Sequence, residues 1–196
     1  MAEYRLETPI SEGVVRRLKV GDILYVSGIA LTARDAAHKR AIKYYEEGRE
    51  LPVSFKDKIL YHCGPIVRRI DDEWRIISAG PTTSTRMEYI EYRFIEYFRP
   101  RVIIGKGGMG EKTLEALSKY GAVYTIFPGG LGAKAAESIV RVDGVEWLDL
   151  GTPEAIWILR VRDFGPLIVT MDTHGRSLHR DIEEESGERL RKILGK

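Results

Sequence analysis

The chain has 196 residues, of which 43% are hydrophobic and 31% are charged. This length supports one well-formed core, and the composition is that of a globular domain rather than of a disordered or fibrous chain. The formal net charge is only +2, so no overall basic field predicts nucleic-acid binding. The single cysteine, Cys63, excludes an internal disulfide and a self-contained thiolate site, and we predict no metal ligands in this chain.

The sequence contains no targeting signal that we recognise. It begins Met1-Ala2-Glu3-Tyr4-Arg5, without the apolar core of a signal peptide, and no apolar run is long enough to span a bilayer. We therefore expect a cytoplasmic protein with no membrane partner.

Hydrophobic periodicity predicts mainly strands in the first half of the chain. Residues 12–19 are interpreted as a connector. Strands are predicted at 23–31, 58–63, 66–70 and 74–77, and the last three are expected to form a β-meander. Thr32 is a plausible N-cap for a helix that runs to Gly48.

The second half alternates helices and strands. Helices are predicted at 87–98, from Gly110 to Tyr120, at 133–140 and at 183–196. Strands are predicted at 102–104, 123–127, 145–150, 156–161 and 168–172. We expect a single α/β domain over residues 1–196, with a mixed sheet and a C-terminal tail helix at about 183–196.

A polar run, Ser78–Met87, separates a predicted strand from a predicted helix. Gly80-Pro81 ends the strand, and Thr82, Thr83 or Ser84 is expected to cap the helix. Free backbone N–H groups and the helix dipole favour an anion at such a place, and Arg86 adds a bidentate donor. The alternative is a well-capped helix with no ligand.

Two further segments place cations near turns. Arg34, with Asp35 and His38, lies at a predicted helix start, where a positive charge opposes the helix dipole and suggests an anionic partner. The alternative is a solvated helix face. Lys106 lies in the glycine loop Gly105–Gly110 between a strand and a helix.

The glycine loop allows several interpretations. A P-loop requires lysine directly after its second glycine, but Glu111 occupies that position and would repel a phosphate. The loop could instead bring Lys106 close to a small anion, or it could be a plain sharp turn.

Two histidine-containing pairs are interpreted as structural. His62 and Cys63 face opposite ways in a strand and make a poor metal pair, so Cys63 is expected to be a buried thiol. Asp172 and His174 lie at a strand end and a turn, where a structural or interface role is expected.

Several runs, taken together and in order, resemble the β subunit of iron–sulfur hydro-lyases, the family of class I fumarase and L-tartrate dehydratase. In single-chain fumarases the same region is the C-terminal domain. The runs that carry the resemblance are residues 32–38, 61–67, 80–87, 105–110 and 164–169.

This resemblance implies a swivelling β/β/α three-layer domain with a mixed sheet. It also implies a hetero-oligomer in which a separate α subunit carries the [4Fe–4S] cluster, so that this chain holds no cofactor and is active only with its partner. The implied reaction is the reversible hydration of fumarate to L-malate, and L(+)-tartrate dehydratase is the alternative.

The resemblance also assigns residue roles. Arg34, Arg86 and Lys106 match the cations that hold the two carboxylates of the substrate, and Thr82 matches the threonine proposed as the base at C3. Three cations on separate loops suit a C4 dicarboxylate, whose charges must be held apart.

Asp35 and His38 also lie in the site motif of the family and are counted as catalytic candidates. Two functions of other classes stay open, a nucleotide- or phosphate-binding module through Gly105–Gly110 and a scaffold subunit without chemistry of its own.

Overall fold

The computed structural model describes residues 1–195 and has the mixed α/β architecture that the sequence predicts. Its elements are β1 (Glu3–Glu7), α1 (Glu12–Val15), β2 (Ile23–Thr32), α2 (Asp35–Glu46), β3 (Ile59–Tyr61), β4 (Ile66–Ile70), β5 (Glu73–Ser78), α3 (Glu88–Phe98), β6 (Val102–Gly105), α4 (Glu111–Tyr120), β7 (Val123–Ile126), α5 (Gly132–Glu137), β8 (Ile139–Glu146), β9 (Ile156–Met171) and α6 (Leu178–Ile193). None of the helices within residues 1–195 carries an apolar stretch long enough to cross a bilayer.

Seven strands form one sheet in the order β1-β2-β3-β6-β7-β9-β8. The strands β1, β2, β3, β6 and β7 run parallel to one another, whereas β9 runs antiparallel to β7, β8 and β2. The extra pairing of β9 with β2 closes the sheet on itself. The parallel strands β2, β3, β6 and β7 therefore end at one common edge, which we call the carboxyl edge.

Strand alternation produces two buried cores. In β6, Val102 and Ile104 belong to the core between the strands, whereas Ile103 belongs to the core that packs against the helices. The same alternation separates Val123 from Tyr124 in β7. Successive strand residues point to opposite faces, so these two cores correspond to the β/β and β/α interfaces of a three-layer domain.

Thr32 is not a helix cap, contrary to the prediction. It is the last residue of β2, and Arg34 takes the N-cap position of α2. The buried Thr32 hydroxyl donates to the carbonyl of Ala155 at 3.2 Å and accepts from the backbone N–H of Trp157 at 2.9 Å. A tertiary contact with β9 thus uses the hydroxyl that local propensity assigned to a cap.

The predicted β-meander is also wrong. Strands β4 and β5 form a separate two-stranded antiparallel sheet, while β3 pairs in parallel with β2 and β6. The connector predicted at 12–19 contains the single helical turn α1.

In the C-terminal third of the chain, the boundaries of the helices and strands differ from the predicted ones. The helix predicted at 133–140 ends at Glu137, and the next residues form β8. The strands predicted at 156–161 and 168–172 are one 16-residue strand, β9, which pairs with three other strands. The tail helix begins earlier, at Leu178, where the Ser177 hydroxyl caps it, and the last residue of its predicted range, 196, lies outside the described residues.

Candidate active site

The carboxyl edge brings the predicted cations onto neighbouring loops. Arg34 follows β2, Gly64 follows β3 and Lys106 follows β6, and these three strands are adjacent and parallel. Proteins with parallel strands, in open or closed sheets, bind ligands at this kind of edge, because the loops after successive strands converge there.

Residues 79–87, which we call the site loop, cross the same edge. Backbone bridges join Pro81 to Cys63 and Thr83 to Lys106. The N–H of Thr82 donates to the carbonyl of His62 at 2.7 Å, and the N–H of Lys106 donates to the carbonyl of Thr82 at 3.3 Å. Thr82 is therefore held by its backbone between the ends of β3 and β6.

The predicted capping role of the site loop is wrong. Ser84–Met87 form a 3-10 turn, and α3 begins at Glu88 without a side-chain cap from Thr82, Thr83 or Ser84. The Thr82 hydroxyl makes no hydrogen bond to any of residues 1–195, so it is available to a ligand.

Arg34 is oriented by its surroundings. A Cβ atom on Gly64 would lie 2.6 Å from the backbone carbonyl oxygen of Pro153 and 2.7 Å from a terminal guanidinium nitrogen of Arg34, so glycine lets both groups approach here. The Nε atom of Arg34 lies 3.2 Å from Oε1 of Glu154, whose Oε2 accepts from the N–H of Ala36 at 2.8 Å. Glu154 therefore positions Arg34 at the start of α2.

Asp35 binds Arg86 across the site. Their side chains meet at 2.8 Å, with Arg86 51% exposed and Asp35 23% exposed. This contact joins the start of α2 to the site loop, so the structure places Asp35 as the orienting partner of Arg86.

Lys106 differs from both arginines, because no acidic group within residues 1–195 lies within ion-pair distance of its ammonium. Its chain packs on Gly129 instead: a Cβ at Gly129 would lie 3.1 Å from Lys106 Cδ and 3.4 Å from Nζ. An ammonium without a counterion is suited to attract an anionic ligand.

His38 lies beneath this surface rather than on it. His38, His62 and Glu91 are all fully buried, and the Nε2 atoms of the two histidines lie 3.0 and 3.3 Å from Oε2 of Glu91. Burial lowers the pKa of His62. Burial alone would raise the pKa of Glu91, but the adjacent His62 and His38 outweigh it and lower the pKa to about 2.

Sequence reasoning missed two acidic residues that shape this region, Glu91 and Glu154. The sequence contained a signal for Glu91, because it lies on the apolar face of α3 with Met87, Phe94 and Ile95. An acid on a buried helix face needs a partner.

The N-terminus of α4 is already occupied by a protein carboxylate. Glu88 accepts from the N–H of Gly110 at 2.7 Å, from the N–H of Thr113 at 3.3 Å and from the Thr113 hydroxyl at 2.5 Å. Lys112, which a P-loop would direct at phosphates, lies over the ring of Tyr92 instead. This geometry opposes the nucleotide-binding alternative.

Asp172 has the structural role that was expected. Its carboxylate accepts from the backbone N–H groups of Val20, His174 and Arg176 at 2.9, 2.9 and 3.2 Å.

Known proteins match this chain over most of its length. The family described as Fumarase C-terminus matches residues 1–182. The L(+)-tartrate dehydratase subunit beta of Escherichia coli K12 is 42% identical over 189 residues, which is 96% of this chain and 92% of that protein. A Methanocaldococcus jannaschii protein named "Putative L(+)-tartrate dehydratase subunit beta" is 45% identical over 182 residues, covering 92% and 93% of the two chains.

A longer relative matches this chain over about a third of its own length. The Geobacillus stearothermophilus protein named "Putative fumarate hydratase class I" is 46% identical over 186 residues, which is 94% of this chain but 35% of that protein. The resemblance found in the sequence is thus confirmed, and the chain belongs to the Fumarase C-terminus family.

Proposed function

We propose that the chain is the β subunit of a hydro-lyase that reversibly hydrates fumarate to L-malate. The names of its relatives support a hydro-lyase subunit of this kind. The observation that carries the proposal is the convergence of Arg34, Arg86 and Lys106 on loops at the carboxyl edge.

These cations suit a C4 dicarboxylate. Arg34 and Arg86 each keep part of a guanidinium fork outside their contacts with Glu154 and Asp35, and a carboxylate accepts such a fork in two parallel hydrogen bonds. Lys106 adds a positive charge that no acidic group of residues 1–195 approaches within ion-pair distance. Together they would hold both ends of the substrate and keep its reacting carbons in register.

Thr82 is the proposed base. In the dehydration direction its oxygen would take the proton from C3, and the adjacent carboxylate would gain negative charge as that proton leaves. The same cations would stabilise that charge and lower the pKa of the threonine hydroxyl, which is a weak base in water. His38 and Glu91 lie too deep to touch a substrate, so we assign His38 a positioning role.

The residues of this chain do not fit an iron–sulfur cluster. A [4Fe–4S] cluster needs several thiolates, and the one cysteine, Cys63, is fully buried with its pKa raised to about 12 by burial. We therefore assign the cluster to a separate α subunit in a cytoplasmic hetero-oligomer. The half-exposed guanidinium of Arg86 supports a site that another subunit completes.

The experiment measures fumarate hydration under anaerobic conditions, with this chain alone and with its α subunit. We expect activity only in the complex, and a loss of at least about 100-fold in kcat/KM for Lys106→Met. Lys134→Met is the matched control, because Lys134 is an exposed lysine paired with Glu137. Full activity of an assembled Lys106→Met complex would refute the site and leave a scaffold role.

L(+)-tartrate is the second candidate substrate, favoured by the names of the Escherichia coli and Methanocaldococcus jannaschii relatives. The ratio of kcat/KM for L-malate and L(+)-tartrate in the same complex decides between them. The nucleotide alternative predicts a thermal shift with ATP, and we expect none because Glu88 occupies the α4 terminus.

A further inference from the structure

Three buried side chains with metal-ligating atoms meet below the carboxyl edge. His38 comes from α2, His62 directly follows β3, and Glu91 comes from α3. One ligand atom from each lies within 4.8 Å of the others, and all three residues are fully buried.

Hydrogen bonds within the protein do not satisfy all the polar atoms of this cluster. Nδ1 of His38 lies 2.8 Å from the carbonyl oxygen of Arg34, which only accepts, so Nδ1 carries the hydrogen. In a neutral imidazole Nε2 is then an acceptor, and it faces another acceptor, Oε2 of Glu91, at 3.0 Å. Two acceptors at this distance require a proton or a cation between them.

The orientations of the two imidazole rings and of the Glu91 carboxylate favour a cation over a shared proton. Neither Nε2 atom and neither carboxylate oxygen of Glu91 makes an aligned hydrogen bond with any of residues 1–195. Four polar atoms that are buried without partners are costly, and native structures rarely leave them so. Close approach without alignment is the arrangement of ligands whose lone pairs converge on one point.

We propose that His38, His62 and Glu91 bind a divalent transition-metal ion of the zinc type. Two imidazole nitrogens and a carboxylate form a recognised ligand set for such an ion, and neither oxygen of Glu91 has a hydrogen-bond partner among residues 1–195. Bidentate binding by Glu91 therefore supplies four protein donors. Full burial leaves no open position for substrate, so the site is structural.

The surroundings of the two histidines resemble those of metal ligands. A metal-bound histidine usually gives its second nitrogen to a carbonyl, carboxylate or hydroxyl group, which fixes the ring. His38 has the Arg34 carbonyl in that position, and His62 has the Ser84 hydroxyl at 2.9 Å. The Tyr124 hydroxyl, 2.8 Å from Ser84 Oγ, holds this serine.

The ion would tie the active-site segments together from below. One ligand, His38, belongs to α2, the helix that begins directly after Arg34. Another ligand, His62, accepts a hydrogen bond at its backbone carbonyl from the N–H of Thr82. Ser84, the contact of His62, belongs to the site loop itself. Occupancy would thus set the positions of Arg34 and Thr82 without contact between the ion and the substrate.

The test measures metal content in the full chain, purified without a metal-binding tag. After treatment with a chelator, the chain receives Zn²⁺ alone and is separated from free metal, and bound zinc is measured by mass spectrometry. We expect about one ion per chain and a raised melting temperature with zinc. Glu91→Gln and His62→Gln should bind no stoichiometric zinc, whereas His174→Gln, which changes an exposed histidine, should bind as the wild type does.

Measurements on the wild type make the test independent of whether the variants fold. Cobalt-loaded chain should show the visible absorption of a four-coordinate site, and nitrogen NMR should show the His38 and His62 resonances change on zinc addition. The proposal is overturned if the wild type binds no zinc, or if His38 is a stable imidazolium paired with Glu91 that zinc does not alter. None of these measurements depends on turnover of fumarate.

Discussion

Lys106 packs on the backbone of Gly129 so closely that a methyl group there would lie 3.1 Å from its Cδ and 3.4 Å from its Nζ. Gly129 belongs to the short turn after β7, and Lys106 follows β6, so neighbouring parallel strands supply the cation and the surface on which it rests. A side chain at Gly129 would therefore shift the Lys106 side chain by a few tenths of an ångström.

Gly129→Ala should therefore displace Lys106 and lower kcat/KM for the dicarboxylate by about 10-fold, because small shifts of a binding group are costly in catalysis. The matched control is Gly130→Ala, since a Cβ at Gly130 meets no atom within 4 Å. Steady-state kinetics of the two αβ complexes give the comparison. Equal effects of the two substitutions would contradict the role of this contact.

Asp35→Asn should weaken substrate binding by releasing Arg86. The charge-assisted contact at 2.8 Å holds a half-exposed guanidinium, and its loss should raise KM by about 10-fold with a smaller change in kcat. Asp149→Asn is the control, because Asp149 pairs at 2.7 Å with Arg40 of α2, which is not a residue of the site loop. A change in kcat alone would instead make Asp35 part of the chemistry.

Glu88→Ala should destabilise the fold, because Glu88 satisfies two backbone N–H groups at the start of α4 and the hydroxyl of Thr113. We expect a loss of about 1–2 kcal/mol in the free energy of unfolding, measured by urea denaturation. Glu111→Ala should cost less than about 0.5 kcal/mol, because its contact with Arg180 is exposed. A larger loss of unfolding free energy for Glu111→Ala than for Glu88→Ala would contradict the role of Glu88 as the cap of α4.

Cys63 should be inert in the native chain. Burial raises the pKa of this thiol to about 12, and the residue has no exposed surface. An aromatic disulfide reagent at pH 8 should not react with folded protein and should label one thiol per chain in urea. Rapid labelling of the native chain would show that the residue is accessible and would reopen its assignment as a structural thiol.

Local patterns in the sequence were enough for the helices α3 and α4 and for the short strands β6 and β7. In α3 the apolar positions recur at helical spacing, and in α4 the glycine positions 110 and 121 bound the helix. These elements carry their own signals because each buries one continuous face.

The resemblance identified the positions of Arg34, Thr82, Arg86 and Lys106, but their surroundings were not predictable. Gly64, Gly129 and Glu154 matter through side chains that approach from distant parts of the chain. The start of strand β8 was predicted as helix, because β8 forms by pairing with β9. A short stretch of sequence does not reveal which distant strand it will pair with.

The sequence by itself determined the α/β class, the family and the residues available to hold an anion, because composition, periodicity and motifs are local properties of the chain. Only the tertiary structure decided that the carboxyl ends of β2, β3 and β6 share one edge, and that His38 meets His62 and Glu91 in the interior. The physical reason is strand order: closure of the sheet by β9 sets which loops are neighbours, and it depends on contacts between residues far apart in sequence.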